Sequence, residues 1–192
     1  REEIDITTEE FYEKMRNAKE LPTTSQPSIG VVTEKLEELA KEYDAVVSIH
    51  LSSGISGTYQ AVVSAGEMVD SIKVYAYDSE LSCMAQGFYT IEAAEMAKAG
   101  KSVEEILARL DEMKQSMRAY FMVDDLTNLH KGGRLSGAQA LVGGLLQIKP
   151  VLHFVDKKIV PFEKIRTRKK AIERICGMIE EDAANSKNLR FV

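Results

Sequence analysis

The chain carries only two cysteines, Cys83 and Cys176, far apart and without Cys-x-x-Cys spacing. That argues against a disulfide framework. The three histidines, His50, His130 and His153, are scattered, so no zinc-ligand spacing exists either. Buried free thiols in a reducing cytoplasm are the expectation. No apolar run approaches the roughly 20 residues of a membrane span, and no secretory leader pattern opens the chain. The net charge is −5, with both signs interspersed, so a domain-wide basic field for nucleic acid is missing. Neither a Gly-x-Ser-x-Gly elbow nor a phosphate-binding Gly-Lys-Ser/Thr loop occurs. Internal repeats, low-complexity segments and flexible linkers are lacking as well. What remains is an ordinary globular composition, 44% hydrophobic and 29% charged over 192 residues, enough for one large domain or two small ones.

Two hydroxyl-rich turns stand out. The first is Leu21-Pro22-Thr23-Thr24-Ser25-Gln26-Pro27-Ser28. The second is His50-Leu51-Ser52-Ser53-Gly54-Ile55-Ser56-Gly57-Thr58-Tyr59-Gln60, which follows the apolar run 45–49 and leads into a helical pattern. A Gly- and Ser-rich turn between strand and helix presents N–H groups and hydroxyls at a helix N-terminus, where proteins hold small anions. Plain helix capping is the commoner use of Ser52, Ser53 and Ser56. A surface loop bracketed by prolines is the competing account of Thr23 and Ser25. If the two turns lie side by side, they form a pocket for an acidic headgroup.

Periodicity and caps organise the rest. Thr7 with Glu10 has capping-box spacing and predicts a helix to about Ala18. Helices are expected from about Ser28 to Glu42, near 57–69, from Met84 to Lys98 with Gly100 as its stop, and from Ser102 to about Met117. Strands are expected near 45–50 and at 73–77, closed by Asp78 and Ser79, which can line the same crevice as the Ser turn. Alternating strands and helices predict a parallel sheet with helices on its faces. The pattern changes near 118. A strand at 119–123, a short helix at 124–130, a turn at 131–134 and an apolar helix from Leu135 to Leu146 follow. Strands at 148–155 and 158–164 meet at Asp156-Lys157, a hairpin signal. Thr167 then caps a helix to about Ala184. Two α/β domains are expected, residues 1–117 with the parallel sheet and 118–192 with a mixed or antiparallel one. Arg1 opens without a Met, and residues 188–192 read as the start of a strand, so a fragment of a longer protein is expected.

The two turns recur with three further motifs: Lys131-Gly132-Gly133-Arg134-Leu135-Ser136, Ile148-Lys149-Pro150, and Val160-Pro161-Phe162-Glu163-Lys164-Ile165-Arg166-Thr167-Arg168-Lys169-Lys170-Ala171. In this order, from about Asp5 to the end, they closely resemble the DegV family of bacterial lipid-binding proteins. The resemblance implies two α/β domains with one long-chain fatty acid between them. It also implies that the chain presents the acyl carboxylate to a separate ATP-binding kinase subunit, giving an acyl phosphate for phospholipid synthesis. The chain is then a binding subunit without catalysis or cofactor of its own. By the same resemblance, Thr24 and Ser56 bind the carboxylate, with Ser25, Ser53, Gly57 and Thr58 beside them. The family's N-terminal strand ending in Asp-Ser-Thr has no counterpart before Arg1. Its C-terminal His-x-Gly-Pro-Gly segment would lie beyond Val192.

The chemistry is consistent with such a ligand. Each buried methylene contributes about 0.8 kcal/mol, so a C16 tail offers on the order of 10 kcal/mol. Desolvation would raise the carboxylate pKa. Hydroxyls of Thr24 and Ser56 with N–H groups near Gly57 and Thr58 would oppose that without a fixed cation. Tunnel candidates are Met84, Phe88, Phe121, Val123, Leu126, Leu129, Leu141, Leu145 and Phe154, each equally able to be ordinary core. The basic run Lys164, Arg166, Arg168, Lys169 and Lys170 opposes the dipole of its helix. Arg166, Arg168 and Lys169, with Arg134, are candidates for docking the acidic kinase partner or for transient contact with anionic membrane lipid. His50 is expected to be structural, and Cys83 carries no assigned chemistry. The alternatives are a regulatory protein whose lipid is a signal, or an enzyme that binds a small anion or uses Ser56 as nucleophile.

Overall fold

The computed structural model describes residues 4–136 and 148–185. Strand β1 (Ala45–His50) and strand β2 (Lys73–Asp78) pair in parallel, from Ala45 opposite Lys73 to His50 opposite Asp78. Helix α3 (Thr58–Gly66) makes the crossover that parallel strands require. Side chains alternate across the sheet. Val46 and Val74 pack against Leu36, Ala65, Val69 and Ile72, under α3 and helix α2 (Ile29–Leu39). Ile49 and Tyr77 face the other way. They join Leu81, Tyr89, Ala93, Ile106 and Leu110, under helices α4 (Cys83–Lys98) and α5 (Val103–Ser116). A short helix, α1 (Thr8–Asn17), precedes this sandwich.

After α5 the chain enters a second sheet, antiparallel, in the order β3-β4-β5: Tyr120–Phe121, Val151–Val155 and Lys158–Glu163. One face packs under helix α7 (Arg168–Ala184) through Val151, Ile165, Ala171 and Met178. The other packs Leu152 and Ile159 against Leu126 and Leu135, with helix α6 (Thr127–Lys131) alongside. Ile55, from the Ser turn of the parallel part, belongs to this second core.

Local chemistry explains most boundaries. Capping boxes open α1 at Thr7 and α5 at Ser102, and Thr167 caps α7 through Lys170 N–H. Asp156 and Lys157 both have positive φ, 47° and 70°, as a two-residue hairpin turn of the mirror-image type requires. Helix α6 starts at Thr127, later than the pattern predicts, with Leu126 at its cap position and the Asp125 carboxylate accepting from Thr127 N–H at 2.7 Å in a turn just before it. β4 starts at Val151 instead of 148, since Pro150 has no N–H for the ladder. β3 has two residues instead of five, paired as Tyr120 with His153 and Phe121 with Leu152. Of the helix expected from Leu135 to Leu146, residues from 137 on lie outside the described part, as does the strand expected at 188–192. Both cysteines are exposed, which corrects the expectation of buried thiols. No described helix is long and apolar enough to cross a membrane.

Candidate functional site

The Ser turn leaves β1 and folds back on itself. Ile55 and Ser56 N–H both donate to the Ser52 carbonyl, at 3.1 and 3.2 Å. Ser52 is fully buried. Its Oγ accepts from Gly54 N–H at 3.2 Å and donates to the Lys157 carbonyl at 2.6 Å. Ser52 therefore does not cap α3, although capping is the commonest use of such a serine. The cap position is Gly57, which supplies no side-chain acceptor. The first N–H groups of a helix have no partner within it. Ser56 Oγ meets one of them, Thr58 N–H at 3.3 Å, and lies 2.9 Å from Thr58 Oγ1. Ser53, Ser56, Gly57 and Thr58 are half-buried, so hydroxyls and helix-terminal amides face a partly dry spot.

The first hydroxyl turn reaches this spot through Gln26. A β-carbon on Gly57 would come 2.8 Å from Gln26 Oε1, so the side-chain amide of Gln26 lies flush on Gly57. Ser28 caps α2 through Val31 N–H at 3.4 Å. Thr24 and Ser25, directly before Gln26, are exposed. The structure thus brings the two turns together, but through a residue that sequence reasoning gave no role. The only signal for it was its place in the motif, between Ser25 and Pro27.

Charge surrounds the turn. Arg134 Nε donates to the Ile55 carbonyl at 3.3 Å and Nη1 to the Gly132 carbonyl at 2.7 Å, which puts a guanidinium at the Ser turn. The site therefore has a fixed cation beside it, contrary to the expectation. Asp78, buried at the end of β2, accepts from Ser53 N–H at 3.2 Å and Glu80 N–H at 3.0 Å and pairs with Lys157 Nζ at 3.0 Å. Burial pushes its carboxyl up, but hydrogen bonds from Ser53, Lys157 and Glu80 outweigh that and hold it below the usual carboxylate range. His50 is buried. Its Nε2 lies 2.8 Å from Ser48 Oγ and its ring meets Tyr59 edge-on. Burial lowers its pKa against the pull of Asp78, so it is a neutral, structural histidine at pH 7. No metal-ligating cluster occurs among the described residues.

A cleft of about 1240 Å³ opens between α4 and α5 on one side and β3, β4 and α7 on the other. Met84, Phe88, Phe121 and Phe154 line it, with Met113, Met117, Ile175 and Ile179. Phe121 and Phe154 also pack in the core cluster that takes in Ile55, so apolar surface runs from the Ser turn toward the cleft. Of the other tunnel candidates, Leu126 is buried in that core, with Leu129 and Val123 against it, and none of the three is on the cleft wall. They pack with Leu135, Leu152 and Ile159 in that core. Leu141 and Leu145 lie outside the described residues. Arg166, Arg168 and Lys169 are exposed at the start of α7. Arg168 pairs with Asp124 at 3.0 Å, and Lys169 stands 3.9 Å from Glu173.

The model of the DegV family, described as "Uncharacterised protein, DegV family", matches residues 1–192. The chain belongs to the DegV family. Protein DegV of Bacillus subtilis (strain 168) is 59% identical over 191 residues, covering 99% of this chain and 68% of that protein. The crystal structure of DegV from Bacillus subtilis, described as a fatty acid binding protein, superposes with a TM-score of 0.86 at 59% identity, over 95% of this chain and 65% of that one. A fatty acid binding DegV family protein from Streptococcus agalactiae gives 0.87 at 34% identity, with the same coverage. The chain spans about two thirds of the length of these relatives.

Asp78 gives the site a pH signature. Its folded pKa is depressed, so its contribution to stability is complete above the unfolded carboxylate value, about 3.9, and is lost as pH falls through the lower folded value. Denaturation midpoints measured from pH 7 to pH 2 should therefore show a shallower acid limb for Asp78→Asn than for the parent. Superimposable limbs would contradict the assignment.

Proposed function

We propose that this DegV family member binds one long-chain fatty acid, with its carboxylate at the paired turns and its tail in apolar space between the two sheets. The observation that carries this reading is the Gln26–Gly57 contact, which joins both hydroxyl turns at the N-terminus of α3, where the cap residue Gly57 offers no side-chain acceptor. Around it stand the groups an ionised carboxylate needs: Ser56 and Thr58 hydroxyls, α3 amides, and the Arg134 guanidinium. Thr24, Ser25 and Ser53 are the nearby hydroxyls on the two turns. Met84, Phe88 and Phe121 offer apolar surface for the tail. Family members described as fatty acid binding proteins support the same ligand. The chain binds and does not catalyse, and its residues fall into two domains that meet near residue 118.

Binding of this kind leaves a carboxylate oxygen to react. In the finer reading, a separate cytoplasmic kinase subunit supplies ATP and Mg²⁺. The carboxylate oxygen attacks the γ-phosphorus, the bond from that phosphorus to the β,γ-bridging oxygen breaks, and ADP leaves with the electron pair. No general base is needed, because the nucleophile is already ionised. Exposed Arg166 and Lys169, with Arg168, form the face for that partner or for anionic lipid during exchange.

Organic extraction of the purified chain followed by mass spectrometry should recover close to one fatty acid per chain. Thr24→Ala with Ser56→Ala should lower fatty-acid affinity at least about tenfold, since the loss of a single hydrogen bond to a charged group costs about 1.5 kcal/mol or more, at unchanged circular dichroism. A delipidated chain that rebinds no acyl chain, but hydrolyses esters or binds phosphate, would overturn the reading in favour of an enzyme.

Charge reversal at Arg166 and Arg168 should abolish acyl phosphate formation with the kinase subunit while sparing lipid retention. Unchanged phosphorylation would remove this face from partner docking.

A further inference from the structure

The hairpin turn of the antiparallel sheet is driven against the Ser turn of the parallel one, and Lys157 makes the polar contacts there among the described residues. Its carbonyl accepts from buried Ser52 Oγ at 2.6 Å, and its ammonium pairs with Asp78 at 3.0 Å. A β-carbon on Gly54 would overlap the same carbonyl oxygen, so glycine at 54 is what lets the hairpin seat. Ser52 Oγ and Asp78 each hold a Ser-turn amide as well, Gly54 N–H at 3.2 Å and Ser53 N–H at 3.2 Å. The groups that grip Lys157 are thus the groups that shape the turn. Lys157 itself sits at φ 70°, a conformation that favours glycine over a lysine. A lysine in a backbone conformation that favours glycine, with its carbonyl and its ammonium both engaged by the other sheet, points to a use for its side chain.

Building on the fatty-acid reading, we propose that Lys157 is a positioning residue: its ion pair with Asp78 latches the hairpin to the Ser turn and holds that turn in the shape that receives the carboxylate. Lys157 does not touch the ligand. It acts through Asp78 on Ser53 N–H, and through its carbonyl on Ser52.

Lys157→Gly separates latch from fold. Glycine keeps the carbonyl and suits φ 70°, so backbone relief and ion-pair loss oppose each other and the thermal midpoint should move little. Fatty-acid affinity should fall roughly fivefold, the low end of couplings between sites. Amide hydrogen exchange at residues 53–58 should quicken in the lipid-free chain. Lys157→Arg, which keeps the charge, should restore both. Unchanged exchange and affinity in Lys157→Gly would overturn the latch, and so would equal losses in the glycine and arginine variants. If the parent chain binds no fatty acid, the carrier reading fails, and the exchange rates of the lipid-free chains still decide the latch.

Discussion

Gly54 lies against the Lys157 carbonyl with no room for a methyl group between them. This contact is where the parallel and antiparallel sheets meet at the Ser turn, and much else follows from it. It brings Ile55 into the core of Leu126, Leu135, Leu152 and Ile159, so the turn is anchored on the far sheet as well as on its own. It puts Ser52 to work as a buried clamp, while the half-buried Ser56 and Thr58 hydroxyls pair with each other at 2.9 Å. It also sets Lys157 beside Asp78, which ties the ends of β1 and β2 into the same network.

The electrostatics around the turn are divided. Asp78 is spent on Ser53, Glu80 and Lys157 and is compensated where it stands. His50 stays neutral in its buried place. Arg134 is then the cation at the turn with no carboxylate partner among the described residues, its bonds going to two carbonyls. In the proposed reading, an incoming carboxylate would meet a site whose internal charges are already balanced, apart from one guanidinium and the amides of a helix start. Under those conditions the headgroup contacts would chiefly offset desolvation, and net affinity would come from the tail.

Features governed by neighbours in sequence were legible before any coordinates. Thr7 with Glu10, Ser102 with Glu105, and Thr167 mark helix starts by local hydrogen bonding, and all three do so in the structure. The Asp156-Lys157 turn and the parallel pairing of β1 with β2 follow from local pattern and chain order. The clamp was not legible. Ser52 and Lys157 are 105 residues apart, and a serine that grips a distant carbonyl looks in sequence like one that caps the next helix. Leu126 was ambiguous for a similar reason, since an apolar residue reads alike as tunnel wall or core until its partners are known. Cys83 and Cys176 show the limit of residue-type statistics, for both are exposed. The motifs that identify the DegV family are local, yet the contact of Gln26 with Gly57, which joins the two turns, spans distant parts of the chain and leaves no local signature.

The central claim is that an ionised fatty-acid carboxylate sits between the two hydroxyl turns. The most direct measurement is the carboxyl resonance of a ¹³C-carboxyl-labelled long-chain fatty acid bound to the chain, followed with pH. The account predicts one saturable bound signal that remains in the ionised range at pH 7 and moves when Ser56 is replaced. A label that gives no bound signal, or one indifferent to Ser56, would contradict it.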